Sequence, residues 1–136
     1  SIKNTFITLE DSEGNIGIGS CATKNDSEES ARECFDKLNS FSSSLTGKEL
    51  AADKNTFNWI ASELPLNSEA IAAVDIALHD LWAKSQKKTL VDALGKKHQS
   101  FNTSITIGVS SLEKTIEMAK KHIGNGFSIL KIKIGD

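Results

Sequence analysis

Residues 4–21 alternate loosely between apolar and polar positions, and the chain then changes period. Asn4–Leu9 carries Thr, Phe, Ile and Thr, which is strand composition. Asp11-Ser12-Glu13-Gly14-Asn15 is a cluster of turn residues, and Ile16–Cys21 resumes the strand pattern. The pattern predicts a β-hairpin over 4–21. Gly17 and Gly19 on its second strand suggest a close backbone approach or a bulge. Helical spacing follows. Asp26 or Ser27 is placed to cap a helix, with Glu28 and Glu29 in its first turn. Ala31, Cys34, Phe35 and Leu38 recur at helical intervals, and Ser40–Ser44 reads as a loop. A second helix is predicted from about Lys48 to Ser62, with Pro65 just past its end. In the third, Asn67 or Ser68 is the cap and Ile71, Val74, Leu78, Leu81 and Trp82 form the apolar face. Ala70, Ala72, Ala73 and Ala77 permit close packing there. A short helix over Leu90–Leu94 stops at Gly95, and Lys96-Lys97-His98 reads as a solvated connector.

From Thr103 the pattern changes again. Thr103–Val109 reads as a strand. Ser110 or Ser111 caps a helix with apolar positions at Ile116, Met118, Ala119 and Ile123, which Gly124-Asn125-Gly126 ends. Phe127–Ile134 is a further strand. Strand, helix and strand in about thirty residues make a βαβ unit, so the two strands are expected to be parallel, with a right-handed crossover.

Composition narrows the classes. The 136 residues are 38% hydrophobic and 25% charged, a globular balance, with a formal net charge of −2. That charge gives no electrostatic reason to expect nucleic acid or an anionic membrane as partner. No apolar run approaches the roughly 18–20 residues of a membrane span. The start, Ser1-Ile2-Lys3-Asn4, lacks the regions of a signal peptide and an initiator Met, so an earlier beginning is expected. Cys21 and Cys34 show neither CxxC spacing nor a paired His, and read as two reduced thiols of a cytoplasmic protein; the alternative, a disulfide between them, has nothing in the sequence to recommend it.

The segment Leu130-Lys131-Ile132-Lys133-Ile134-Gly135 carries the chemistry. Alternation puts the apolar residues on one face and both lysines on the other. A parallel strand normally has both faces covered, and a buried ammonium is costly, so the pair needs a reason. Residues i and i+2 stand about 6–7 Å apart at Cβ. Two ammonium groups that close disfavour each other's charge, and partial desolvation adds to this, which favours an amine able to act as a base. The competing reading is an edge strand whose lysines only block aggregation.

Ala73-Val74-Asp75-Ile76-Ala77-Leu78-His79-Asp80-Leu81-Trp82, then Leu94-Gly95, resembles the last long helix of the enolase-superfamily capping domain and its exit. Thr103-Ser104-Ile105-Thr106-Ile107-Gly108 resembles the first barrel strand of that superfamily. Gly126-Phe127 followed by the lysine segment resembles the second. Together they resemble the muconate-lactonizing subgroup and, within it, the dipeptide epimerases. The resemblance implies an α+β capping domain over residues 1–100, with its first strand missing. It implies that residues 101–136 begin a (β/α) TIM-like barrel, incomplete in this chain. It further implies a small-molecule carboxylate or dipeptide substrate, Mg²⁺, and removal of the α-proton through an enediolate. Lys133 maps onto the family's base and Lys131 onto the residue that helps hold the substrate carboxylate. Thr106 maps onto a strand Thr near the substrate, although an ordinary strand Thr reads equally well. Asp75, His79 and Asp80 sit at helical spacing, but within the resemblance they make structural hydrogen bonds, and His98 and His122 have less support still.

The family's acidic metal ligands and opposing base lie on later strands, so no metal ligand is expected in this sequence. An inactive fragment is expected, acting with the remainder of its own barrel or as a homo-oligomer. A muconate cycloisomerase or o-succinylbenzoate synthase is the alternative within the superfamily. A non-catalytic binding or assembly module derived from the cap is the alternative of another class.

Overall fold

Thr5–Glu10 (β1) and Ile16–Cys21 (β2) pair antiparallel, in a register that runs from Thr5 opposite Cys21 to Glu10 opposite Ile16. The expected hairpin is present, and its turn is organised by one side chain. The Asp11 carboxylate accepts the backbone N–H groups of Glu13 and Asn15, each at 2.9 Å, and the Asn15 side-chain amide at 2.9 Å. The Asn15 amide, with these N–H groups, holds the Asp11 carboxyl below its ordinary range. Gly14 takes the left-handed φ of 80° that the tight reversal needs.

The computed structural model describes residues 4–21, 28–97 and 100–135. It divides into two units, residues 1–96 and 97–136. The expected caps Asp26 and Ser27, and His98 of the basic run, lie outside the described residues. No helix among the described residues is long and apolar enough to cross a membrane.

In the first unit, Ser68–Ser85 (α3) lies against β2. The sequence permits this because both surfaces are nearly bare of side chains. A Cβ added to Gly17 would collide with the Ala77 carbonyl oxygen, and one on Gly19 with that of Ala73. Ala70, Ala73, Val74 and Ala77 are fully buried on the helix side. The expected close approach is thus a strand-to-helix contact. Asn67 caps α3 by accepting the Ala70 N–H at 2.8 Å, as expected.

Glu28–Leu45 (α1) buries Ala31, Cys34, Leu38 and Phe41, while Phe35 is exposed. Ser40–Ser44, expected as a loop, is helical. Phe41 and Leu45 extend the apolar stripe beyond Leu38, and their packing on the core outweighs the weak helix preference of serine. Lys54–Glu63 (α2) starts later than expected, because Asp53 is its cap and accepts the Thr56 N–H at 2.9 Å. The core gathers Ile7, Leu38, Phe41, Ile60, Leu64, Val74 and Leu78. Cys21 and Cys34 belong to it and are joined as a disulfide, which corrects the expectation of two reduced thiols. Docking of the hairpin on α1 through β1 brings together two cysteines whose sequence spacing carries no such signal. Leu90–Ala93 (α4) follows, capped by Thr89.

The second unit is the expected βαβ. Ser104–Ile107 (β3) and Ile129–Ile132 (β4) are parallel, with Leu112–Gly124 (α5) between them. Ser111 caps α5 by accepting the Lys114 N–H at 3.3 Å. Both strands are shorter than expected, but the ladder reaches one residue further: the Lys133 N–H donates to the Ile107 carbonyl at 2.9 Å.

Candidate functional site

The parallel register sets Ser104 opposite Ile129, Ile105 opposite Leu130, Thr106 opposite Lys131 and Ile107 opposite Ile132. Alternation then separates two faces. Ile107 is wholly buried, and Ile105 and Leu130 are partly buried, so theirs is the covered face. Thr106 and Lys131 lie side by side on the other. Lys133, held in the ladder by its N–H, is the next residue on that face at the carboxyl end of β4. All three side chains are exposed. A two-stranded sheet leaves this face open, so the two ammonium groups remain in water and the cost of burying them does not arise here.

The structure therefore brings together all three residues chosen from sequence. Ser104 shares their face one step nearer the amino end of β3, and strand alternation alone gave no reason to single it out. A hydroxyl beside an amine, followed by a second amine, can bind an anionic group and, where one amine is neutral, accept a proton. A cleft of about 260 Å³ lies at the other end of the same strands, lined by Phe101, Asn102, Thr103, Asn125, Gly126, Phe127 and Ser128. It holds no titratable side chain. Lys131 and Lys133 stand at the opposite, carboxyl end of β4.

Asp75, His79 and Asp80 make local structural contacts. His79 Nδ1 lies 3.0 Å from the Asp75 carbonyl oxygen and 3.3 Å from Asp75 Oδ1. Asp80 Oδ2 accepts the Ile18 N–H at 2.9 Å and Lys84 Nζ at 2.7 Å, and Lys84 Nζ also donates to the Ile16 carbonyl at 2.8 Å. The Lys84 ammonium, above all, holds the Asp80 carboxyl below its ordinary range. His122 Nδ1 is buried with no partner among the described residues, and its ring meets Phe127 edge-on at 5.9 Å. Among the described residues no three or more His, Cys, Asp or Glu side chains converge on a point that could hold a metal ion. Lysine, as the ammonium, is a donor only. The described residues do not fit Mg²⁺.

The family model described as the mandelate racemase/muconate lactonizing enzyme N-terminal domain matches residues 3–95. The L-Lys-D/L-Arg epimerase of Desulforapulum autotrophicum is 36% identical over 137 residues, a match that covers 99% of this chain and 39% of that protein. The L-Ala-D/L-Glu epimerase of Bacillus subtilis is 36% identical over 91 residues, covering 67% of this chain and 25% of that protein. The crystal structure of a dipeptide epimerase from Methylococcus capsulatus, complexed with Mg and the dipeptide L-Arg-D-Lys, superposes with a TM-score of 0.87 at 31% identity. That match covers 98% of this chain and 38% of the other. The chain thus spans well under half the length of these relatives.

Proposed function

The chain belongs to the mandelate racemase/muconate lactonizing enzyme family of the enolase superfamily, and from that premise we propose that it forms part of a dipeptide epimerase. The observation that carries the reading is the shared sheet face of Thr106, Lys131 and Lys133, with Thr106 in register beside Lys131. In this reading Lys133 is the catalytic base. Its neutral Nζ takes the α-proton of the dipeptide's C-terminal residue, and the electron pair left on carbon spreads into the adjoining carboxylate as an enediolate; a proton returned to the opposite face of that carbon, by an acid of the barrel strands that follow β4, completes the inversion. Lys131 stays an ammonium ion. It pairs with that carboxylate. Thr106 offers its hydroxyl to the substrate beside Lys131. Mg²⁺ enters through the relatives alone: the Methylococcus capsulatus enzyme holds it together with its dipeptide. Its ligands belong, in this proposal, to barrel strands that follow β4.

The test uses the full-length protein with Mg²⁺ in deuterated water and a dipeptide library that includes cationic members such as L-Lys-L-Arg as well as L-Ala-L-Glu. The expected result is deuterium at the C-terminal α-carbon, with inversion. Lys133→Ala should lower exchange from the face it serves by at least about 10²–10⁴-fold. Lys131→Ala should weaken substrate binding and turnover together. Near-normal exchange in Lys133→Ala would remove it from the mechanism. No exchange with any dipeptide, alongside turnover of a cycloisomerase or dehydratase substrate, would reassign the chain to a sister reaction.

A further inference from the structure

We propose that Cys21 and Cys34 form a thiol–disulfide switch that ties the carboxyl end of β2 to α1. They are the chain's two cysteines and stand 13 residues apart, on different elements. Both are buried, at 0% and 2% exposure, inside the core of the first unit. The joint does not depend on their bond alone. Thr5, the register partner of Cys21, donates its Oγ1 hydrogen bond to the Ala31 carbonyl on α1 at 3.2 Å. The hairpin is therefore already docked against α1, one turn before Cys34. Packing of the hairpin on α1 brings the two sulfurs together, and in this proposal it holds them near each other after reduction, so the bond can re-form.

The chemistry is a two-electron exchange. In the reducing direction a thiolate of a small dithiol attacks one sulfur, the Cys21–Cys34 bond breaks, and a mixed disulfide forms. The reagent's second thiol then closes on the first, releasing the other cysteine. The reagent ends as its own disulfide, and its two protons end on Cys21 and Cys34. In the oxidising direction a small-molecule disulfide is consumed and leaves as two thiols. Because both sulfurs are buried, each direction waits on local opening of the hairpin–α1 joint, so the switch is slow under native conditions. Closing the loop restricts the unfolded chain, and the oxidised form is the more stable one.

The experiment uses the full chain, equilibrated in parallel with oxidised glutathione and with a phosphine reductant. After oxidation, denatured protein should present no thiol to Ellman's reagent. After reduction it should present both and gain two hydrogens in mass. Reduction should lower Tm by roughly 10 °C or more. Cys34→Ala should have one Tm that does not respond to the reductant, whatever its absolute value. Two free thiols persisting in oxidised glutathione, or a Tm that does not move on reduction of the wild-type chain, would overturn the proposal. The readouts are thermal and chemical, so they stand apart from the epimerase reading.

Discussion

Lys87 and Gly126 hold the same position in two equivalent helix ends. At the end of α3, the Lys87 N–H donates to the Lys84 carbonyl at 2.8 Å and the Lys88 N–H to Ala83 at 3.0 Å. At the end of α5, the Gly126 N–H donates to Ile123 at 3.0 Å and the Phe127 N–H to His122 at 3.1 Å. Both are Schellman closures, which need a left-handed residue just after the cap. Gly126 supplies it at φ 90° without strain, whereas Lys87 is forced to φ 54° against its own Cβ. Lys87→Gly should therefore raise stability by about 0.5–1 kcal/mol, and Gly126→Ala should lower it by about 1 kcal/mol. Urea midpoints at unchanged m-value are the measurement. A Lys87→Gly midpoint at or below wild type would show that the strain is relieved elsewhere. Gly19 is constrained by space instead. Its φ is not left-handed, but a methyl group there meets the Ala73 carbonyl oxygen, which is backbone and cannot rotate away. Gly19→Ala should cost on the order of 1–3 kcal/mol as β2 is pushed off α3. A midpoint within error of wild type would mean that the strand and helix separate freely.

Between elements, the β2–α3 contact has an apolar middle and a polar margin. Asp80 and Lys84, one turn apart on α3, reach the backbone of β2: the carboxylate takes the Ile18 N–H and the ammonium donates to the Ile16 carbonyl. A strand edge that would otherwise be open is thus satisfied by side chains of opposite charge. Asp80 is held below its ordinary range by Lys84 first and the Ile18 N–H second, against a desolvation that raises it. A depressed folded value contributes stability that is present above the unfolded value, about 3.9, and is lost as pH falls through the folded one. Urea midpoints of the wild type should therefore fall between about pH 5 and pH 2 more steeply than those of Asp80→Asn. Parallel pH profiles would show that the clasp contributes nothing. Much at this scale was legible in sequence. Turn residues marked the hairpin, Asn67 or Ser68 and Ser110 or Ser111 marked helix starts, and the glycines of the second strand marked a close approach or a bulge without naming the helix it is made with. What was not legible depended on partners distant in the chain. Serine's weak preference argued against helix at 40–44 until Phe41 and Leu45 were given a core to reach. The start of α2 was set by Asp53, one capping candidate among several polar neighbours. The meeting of Cys21 and Cys34 followed from the docking of the hairpin on α1, which no spacing rule encodes. At the candidate site, alternation put Lys131 and Lys133 on one face, but only the parallel register placed Thr106 beside Lys131.

Taken as a whole, the two units differ in how much they bury. The first has a layered core in which Ile60, Leu64, Val74, Ala73 and Ala77 are at most 2% exposed. In the second, Ile107 is the only buried apolar side chain among the described residues. Leu112, Ile116 and Ile123 on α5 are exposed, as are Ile129 and Ile132 on β4. Two strands also leave both sheet edges without a neighbour in the described sheet, where a closed barrel has none to leave. Hydrogen-exchange protection rises with the apolar area that must be uncovered to break a hydrogen bond, so the units should exchange on different scales. Amides in the middle of α3 and in β2 should be the slowest, opening only with the first unit as a whole. The β3–β4 ladder, including the Lys133 N–H on the Ile107 carbonyl, should exchange by local opening, roughly 10²-fold faster or more if the two openings differ by about 3 kcal/mol. Exchange followed by mass spectrometry on peptides from residues 68–85 and 127–135 of the 136-residue chain decides it. Equal protection in the two peptides would mean that the exposed apolar face of the second unit is covered in solution. In that event protection of the second peptide should fall as the protein is diluted if the cover is another copy of the chain, and should not change with dilution if the cover comes from within the molecule.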